Sequence, residues 1–354
     1  MATYQEHIQR GLQKSRDALH ENPSIDIRDL KLIVFSDHHR GKNDGADDFR
    51  PCKAAYHAAL GYYLSAGFTL VLLGDVEELW ECHAKDVIRT YHDTLILEQR
   101  FSLENRLIRF WGNHDDEWQY PSRVNKFLKT YLSNPRSVPG VLESQLLFVK
   151  SGDKKLGELF FVHGHQGTLE SDRFSWLSRF AVRYLWRPFQ RITNIKSTTP
   201  ASDFNLRLKL ELAMHEWASK QPGLILIAGH THHPVFSSVS HEAMLKAEIA
   251  DLKKRLDKTS YKKEQEKLAE QINEKNARLN WVLAKSNGVM LDIPSEQKPC
   301  YFNTGCCSFS DGDITGIEIE NGLIRLVRWP DDEGNARKKI LRQALLAEVL
   351  EDCH

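Results

Sequence analysis

Short, largely apolar runs that stop abruptly at polar residues organise this chain. The run Leu32–Phe35 stops at Ser36-Asp37-His38-His39, the run 68–73 at Gly74-Asp75, and the run 107–111 at Gly112-Asn113-His114-Asp115. Two more, 156–162 and Leu224–Ala228, stop at His163-Gly164-His165 and Gly229-His230-Thr231-His232-His233. Runs of this length without polar alternation predict strands buried on both faces, with the polar residues projecting from their carboxyl ends. Between them, Pro51 suits the first turn of a helix that runs to about Ala66 and ends at Gly67. A helical stretch is expected from Glu78 and Trp80 to about Arg100, and another piece over 124–132. Strands alternating with helices predict βαβ units. The runs 145–150 and 156–162 flank a polar turn at 151–155, and Ile314–Glu320 and Leu323–Trp329 flank Asn321-Gly322, which predicts two hairpins. A further strand is expected over 300–303, a helix from a cap at Asp203 to Trp217, and an amphipathic terminal helix over 337–350.

Two stretches depart from that pattern. Residues 173–196 hold five arginines and one lysine, no acidic residue, and six large aromatics. Arg179, Arg183 and Arg187, spaced at four, form one stripe on a helix that Pro188 ends or kinks. The stretch reads either as a solvated basic face on an aromatic core helix or as a lid whose arginines clamp a phosphate. Residues 241–279 are mostly charged or polar, with Leu245, Ile249, Leu252 and Leu256, then Leu268, Ile272 and Leu279, forming a narrow apolar seam. That pattern predicts a helical hairpin or short coiled coil, the seam filled by folding back or by a second subunit in a homodimer.

Composition narrows the functional classes. Lysine plus arginine equals aspartate plus glutamate at 48 each in 354 residues, so no global field draws nucleic acid, and attraction to an anion must be local. No apolar stretch is long enough for a signal peptide or a membrane span, and the six scattered cysteines form no framework. A soluble, cytoplasmic protein is expected, with peripheral membrane contact as the variant if the basic stretch meets lipid.

The strand ends carry the candidate chemistry. Asp37, His39, Asp75, Asn113, His163, His230 and His232 are oxygen and nitrogen donors without a thiolate, a set suited to two divalent ions, Mn²⁺ first, with Fe, Zn²⁺ or Mg²⁺ as alternatives. Seven side chains are too many for one closed site, whereas a bridging Asp75 would give each of two ions four protein ligands. Two such ions acidify a shared water and hold phosphoryl oxygens. The neutral Asn113 leaves the centre electropositive, which favours an anionic substrate.

The ordered blocks D-x-H, G-D, G-N-H-D, H-G-H and G-H-T-H, from Asp37 to about Gly305, closely resemble the calcineurin-like metallophosphoesterase superfamily. Asn303-Thr304-Gly305 is similar to the strand start that follows that family's last histidine block. The resemblance implies an α/β fold, the four-layer α/β/β/α metallophosphoesterase sandwich, here with a helical lid and a helical-hairpin or coiled-coil insertion. It implies Asp37, His39, Asp75 and His232 on one metal, and Asp75, Asn113, His163 and His230 on the other. It further implies that His114 assists the leaving oxygen and that Asp115 positions His114. His165, a second histidine beside the candidate ligand His163, is expected to contact phosphate.

The expected organisation is a polar segment over 1–29 and a catalytic domain over 30–330, with the lid at 172–219 and the second insertion at 241–285. A terminal helix over 331–354 completes it. The expected activity is metal-dependent phosphoric ester or anhydride hydrolysis on a phosphorylated small molecule or lipid-linked phosphate. The second block, with Glu78 and Trp80, is similar to that of UDP-diacylglucosamine pyrophosphohydrolases, although that family has arginine at the position of His114. Protein serine/threonine phosphatases of the superfamily carry G-N-H-E where this chain has Asp115. The alternatives are therefore a glycolipid pyrophosphohydrolase at a membrane surface, a protein phosphatase, or a catalytically silent scaffold.

Overall fold

The computed structural model describes residues 3–20, 22–132, 140–168, 204–259, 298–330 and 336–354, with isolated helical positions between 265 and 280. The first sheet holds β2 (Leu32–Phe35), β3 (Thr69–Leu73), β4 (Leu107–Phe110), β11 (Ile314–Glu320), β12 (Leu323–Trp329) and β13 (Lys339–Leu345), in the order β13-β12-β11-β2-β3-β4. Its β2, β3 and β4 are parallel and the others antiparallel. The second sheet holds β1 (Ser24–Asp26), β5 (Ser144–Ser151), β6 (Lys154–Val162), β7 (Leu224–Ala228), β8 (Val235–Phe236), β9 (Val239–Ser240) and β10 (Tyr301–Asn303). Their order is β1-β5-β6-β7-β10-β8-β9, with β6, β7 and β10 parallel.

The unbroken apolar runs are explained by burial on both sides. Leu32, Val34, Val71 and Leu73 join a core shared with Leu159, Phe161 and Leu226 of the second sheet. Their neighbours Ile33, Phe35, Leu70 and Leu72 point the other way, onto Ala55, Tyr56, Ala59 and Leu95 from helices Lys53–Ser65 and His92–Leu103. The described residues are thus mixed α/β, with two mixed sheets sharing a core, compatible with an α/β sandwich. Among the described residues no helix is long and apolar enough to cross a membrane.

The polar segment 1–29 carries a helix and a strand. Helix Tyr4–Asp17 starts at a capping box between Thr3 and Glu6 and buries Ile8 and Leu12 in the shared core, while β1 adds to the second sheet. Two apolar residues one turn apart suffice, each contributing roughly 1.5–3 kcal/mol when fully buried. The helix is seated by glycines: a Cβ on Gly11 would lie 2.6 Å from the Gln166 carbonyl carbon, and one on Gly167 (φ +78°) would lie 2.2 Å from the His7 carbonyl oxygen. Gly167→Val is therefore expected to loosen helix Tyr4–Asp17. Its amide hydrogen exchange should accelerate about tenfold or more while β3 and β7 keep their protection.

The single helix expected from Glu78 to Arg100 is a loop followed by helices Ala84–Thr90 and His92–Leu103. The piece at 124–132 is two short helices, Pro121–Phe127 and Lys129–Leu132. The terminal helix expected over 337–350 is a strand, β13, and a short helix, Leu346–Asp352. The open edge of β12 offers a ladder to Lys339–Leu345, and pairing overrides a helical propensity that is only a weak preference. Asn303-Thr304-Gly305 closes β10 rather than starting a strand.

Helix His241–Lys258 begins the second insertion, and its seam is filled within the chain. Ile249 and Leu252 bury against Leu268 and Ile272, and Lys275 pairs with Glu248, which also binds Arg342 of β13. This arrangement needs no second subunit to cover these residues. Helix Phe204–Ser219 follows its expected course, and its proposed cap Asp203 lies outside the described residues. So do most of the expected lid and all of Arg179, Arg183 and Arg187.

Candidate metal centre

The ends of β2, β3 and β4 in one sheet meet the ends of β6 and β7 in the other, and each end supplies donors. Backbone bonds fix the meeting point. The Asp37 amide donates to Gly74 O (3.1 Å), the His39 amide to Asp75 O (3.0 Å), and the Gly229 amide to His163 O (2.9 Å). The carboxylates then tie neighbouring strand ends together. Asp37 Oδ2 accepts the His230 amide at 2.9 Å, and Asp75 Oδ1 accepts the His114 amide at 2.8 Å. Glycines leave room for these side chains. A Cβ on Gly112 would stand 2.3 Å from Asp75 Oδ1, and one on Gly229 would stand 2.6 Å from Asp37 Oδ2.

The backbone is held in an unfavourable region at the same places. Asp37, His39, Asp75, His230 and His232 all have φ between 49° and 67°. A left-handed conformation in a residue with a Cβ costs of order 1–3 kcal/mol, and such positions gather where side chains must be aimed for function.

Two ligand sets result. Asp37, His39 and His232 form one cluster and Asp75, His163 and His230 another, the donor atoms within each lying no more than 4.8 Å apart. In the first, His232 Nε2 lies 3.2 Å from Asp37 Oδ1 and 3.1 Å from His39 Nε2. In the second, His163 Nε2 lies 3.1 Å from Asp75 Oδ2 while its Nδ1 donates to Leu73 O at 2.8 Å, which aims Nε2 at the cluster. The clusters abut, with His39 Nε2 3.8 Å from Asp75 Oδ2 and His163 Nε2 3.9 Å from Asp37 Oδ1. Both amide atoms of Asn113 and Nε2 of His230 are buried without a hydrogen-bond partner. Buried polar atoms left unpaired are costly, and a cation would satisfy Oδ1 of Asn113 and Nε2 of His230.

The charges suit that role. Burial opposes ionisation of both carboxyls, yet the imidazoles of His232 and His163 hold Asp37 down at about 2, and His163 and His114 hold Asp75 well below the ordinary range. Burial, aided by His163, pushes His230 down to about 3, so it is a neutral donor. These buried aspartates and histidines can hold a metal ion, and their nitrogen and oxygen donors fit a divalent cation of borderline or hard character.

His114 lies beside both clusters, its donor nitrogen grouped with His39 and Asp75. The residue that positions it is Glu78, not Asp115. Glu78 Oε2 is 2.7 Å from His114 Nδ1 and 3.0 Å from His39 Nδ1, so one carboxylate orients both rings. Burial disfavours the charged imidazolium, but Glu78 and Asp75 overcome it and hold His114 up at about 10. Asp115 points back into the chain and accepts the amides of Val76 at 2.9 Å and Gly112 at 2.6 Å, bracing two strand ends. The sequence signal for Glu78 was its place in the second block. Nothing local set its reach above that of Glu77, which turns inward to Arg109 and Trp118.

Trp80 stacks on His114 with ring centres 4.4 Å apart, and Trp111 tilts against His165 at 5.0 Å. His165 belongs to neither cluster; it lines an adjoining cavity with Asn113, Trp80 and Trp111. Compared with known proteins, the chain matches no family model and no curated sequence, so the reading of this site stands on its geometry.

Proposed function

We propose that this protein is a dinuclear metal-dependent phosphoesterase of the metallophosphoesterase sandwich type. The observation that carries the reading is the convergence of two abutting Asp/His clusters at five strand ends, five of the seven candidate ligands sitting in left-handed backbone. Asp37, His39 and His232 would hold one ion and His163 and His230 the other, with Asp75 between them and Asn113 supplying a neutral oxygen. Bound there, two divalent ions acidify a shared water and neutralise phosphoryl oxygens during in-line displacement.

The chain's own residues supply the rest. Glu78 accepts a hydrogen bond from Nδ1–H of His114, so Nε2 is the atom that hands a proton to the departing oxygen. Trp80 stacked on the ring limits its rotation and screens it from water. Cations bound alongside lower the affinity of His114 for its proton, against the pull of Glu78. Asn113 adds no charge, so the centre stays attractive to a phosphate.

The test is hydrolysis of bis-p-nitrophenyl phosphate, p-nitrophenyl phosphate and a nucleotide-sugar diphosphate with added Mn²⁺, with metal content measured by elemental analysis. Metal-dependent turnover supports the reading, and the preferred compound sets the bond type. Fully metallated protein inert on all three would favour a silent scaffold. Glu78→Gln is expected to lower kcat about 10–100-fold and weaken metal affinity on the His39 side, because the shared carboxylate orients a ligand and the proton donor at once. A kcat within twofold of the parent would remove Glu78 from the mechanism.

A further inference from the structure

Beside the metal centre, a cavity of about 500 Å³ is lined by Asn113, His165, Trp80 and Trp111 and by His7, Arg10 and Lys14 of helix Tyr4–Asp17. The helix presents three stripes. At about 100° per residue, Ile8, Leu12 and Ser15 form the buried one, Gln9, Gln13 and Arg16 one flank, and His7, Arg10 and Lys14 the other. The first flank is committed to the body of the protein. Gln9 donates to Glu216 (2.8 Å), Gln13 accepts from Trp217 (3.1 Å), and Arg16 donates to Gln221 (2.5 Å) and Glu158 (2.8 Å).

Among the described residues the second flank is uncommitted. Arg10 spends only Nε, on the Glu6 carbonyl at 3.2 Å, and neither Arg10 nor Lys14 forms an ion pair among the described residues. Two carboxylates share the cavity wall, but Glu143 accepts the Ser15 hydroxyl at 3.0 Å and Asp116 has a partner of its own. Among the described residues the wall therefore offers two cations without an ion pair, held in place because Gly11 and Gly167 let the helix press onto the loop after β6. On the centre's side, both amide atoms of Asn113 and Nδ1 of His165 are buried and unpartnered.

We propose that Arg10 and Lys14 bind a second phosphate of the substrate, beyond the scissile one, with Trp80 and Trp111 packing against the part that joins the two. The substrate class is an organic compound carrying two phosphate groups, and the N-terminal helix selects it. This rests on the dimetal reading, which places the scissile phosphate at the clusters. A guanidinium fork and an ammonium on one phosphate form charge-assisted hydrogen bonds, the strong kind.

The experiment is isothermal titration of the Mn²⁺-loaded full chain with methylphosphonate and with linear alkane bisphosphonates of increasing length, none of which is hydrolysed. One length is expected to bind about tenfold or more tightly than methylphosphonate. In the double variant Arg10→Ala, Lys14→Ala that ratio should fall to about one, since only the distal group loses its partners. Both side chains are exposed, so the variant should fold, and far-UV circular dichroism checks it. No preference at any length, or a preference that survives the double substitution, overturns the second-phosphate site while leaving the metal centre standing. Protein that takes up no metal, or binds methylphosphonate equally with and without it, overturns the dimetal reading and this inference together.

Discussion

Asp75→Asn is expected to abolish metal-dependent phosphoester hydrolysis, lowering kcat/KM on bis-p-nitrophenyl phosphate by about 10³-fold or more, and to reduce bound metal from about two ions to about one. Asp75 stands where the two clusters meet. Its Oδ2 is 3.1 Å from His163 Nε2 and 3.8 Å from His39 Nε2, one ring from each set. The asparagine keeps an acceptor for the His114 amide, now at 2.8 Å from Oδ1, so the strand end should hold its shape. What would be lost is the carboxylate's negative charge between the two proposed ions, and the oxygen Oδ2 that faces both clusters. Elemental analysis and steady-state kinetics on the same sample read both effects. Retention of two ions with undiminished turnover would place the bridge elsewhere, and loss of turnover with both ions retained would make Asp75 a catalytic group rather than a ligand.

Glu98→Gln should be among the most destabilising single changes in the chain, costing about 3–5 kcal/mol in urea unfolding. Behind the metal centre runs a buried chain of charges, Glu98–Arg40–Glu77–Arg109, capped by hydroxyl and indole donors. Arg40 donates to both oxygens of Glu98, and Tyr56 adds a bond at 2.8 Å. Glu77 lies 3.8 Å from Arg40, takes the Arg109 guanidinium, and accepts Trp118 Nε1 at 2.9 Å. All four charged side chains are at most 2 % exposed. Removing the charge of Glu98 leaves Arg40 fully buried with only the more distant Glu77 to balance it, and a guanidinium cannot escape by losing its proton. Because Arg40 follows His39 directly and Glu77 follows Asp75 by two, metal affinity should fall in the same variant. A loss below about 1 kcal/mol would mean that water or rearrangement pays for the charge, and that the network is not what anchors these loops.

The strand ends could be read before any fold was known because their signal is local. A run such as Leu224–Ala228 followed by Gly-His-Thr-His states in nine residues that a doubly buried strand delivers two histidines. Gly112 and Gly229 are part of the same signal, since the carboxylates of Asp75 and Asp37 pass where their Cβ atoms would be. The donor set, the expectation of two ions and the βαβ order all follow from such segments. Other features depended on partners distant in sequence, and no local pattern distinguishes them. Glu77 and Glu78 are adjacent acids of equal propensity. One faces Arg109 and Trp118 and the other the rings of His39 and His114, a choice made by which side of the loop each occupies. Asp115, beside His114 in sequence, turns to backbone amides instead. Lys339–Leu345 is a strand because β12 had an edge to pair, and 4–17 is a wall of the cavity because Gly167, some 150 residues away, admits it. Propensity and spacing act over a few residues, where chain geometry already fixes the distances. Hydrogen bonds and charges between remote segments exist only after the layers pack, so the tertiary structure alone brought Glu78 to His114 and formed the buried charge chain and the cationic wall.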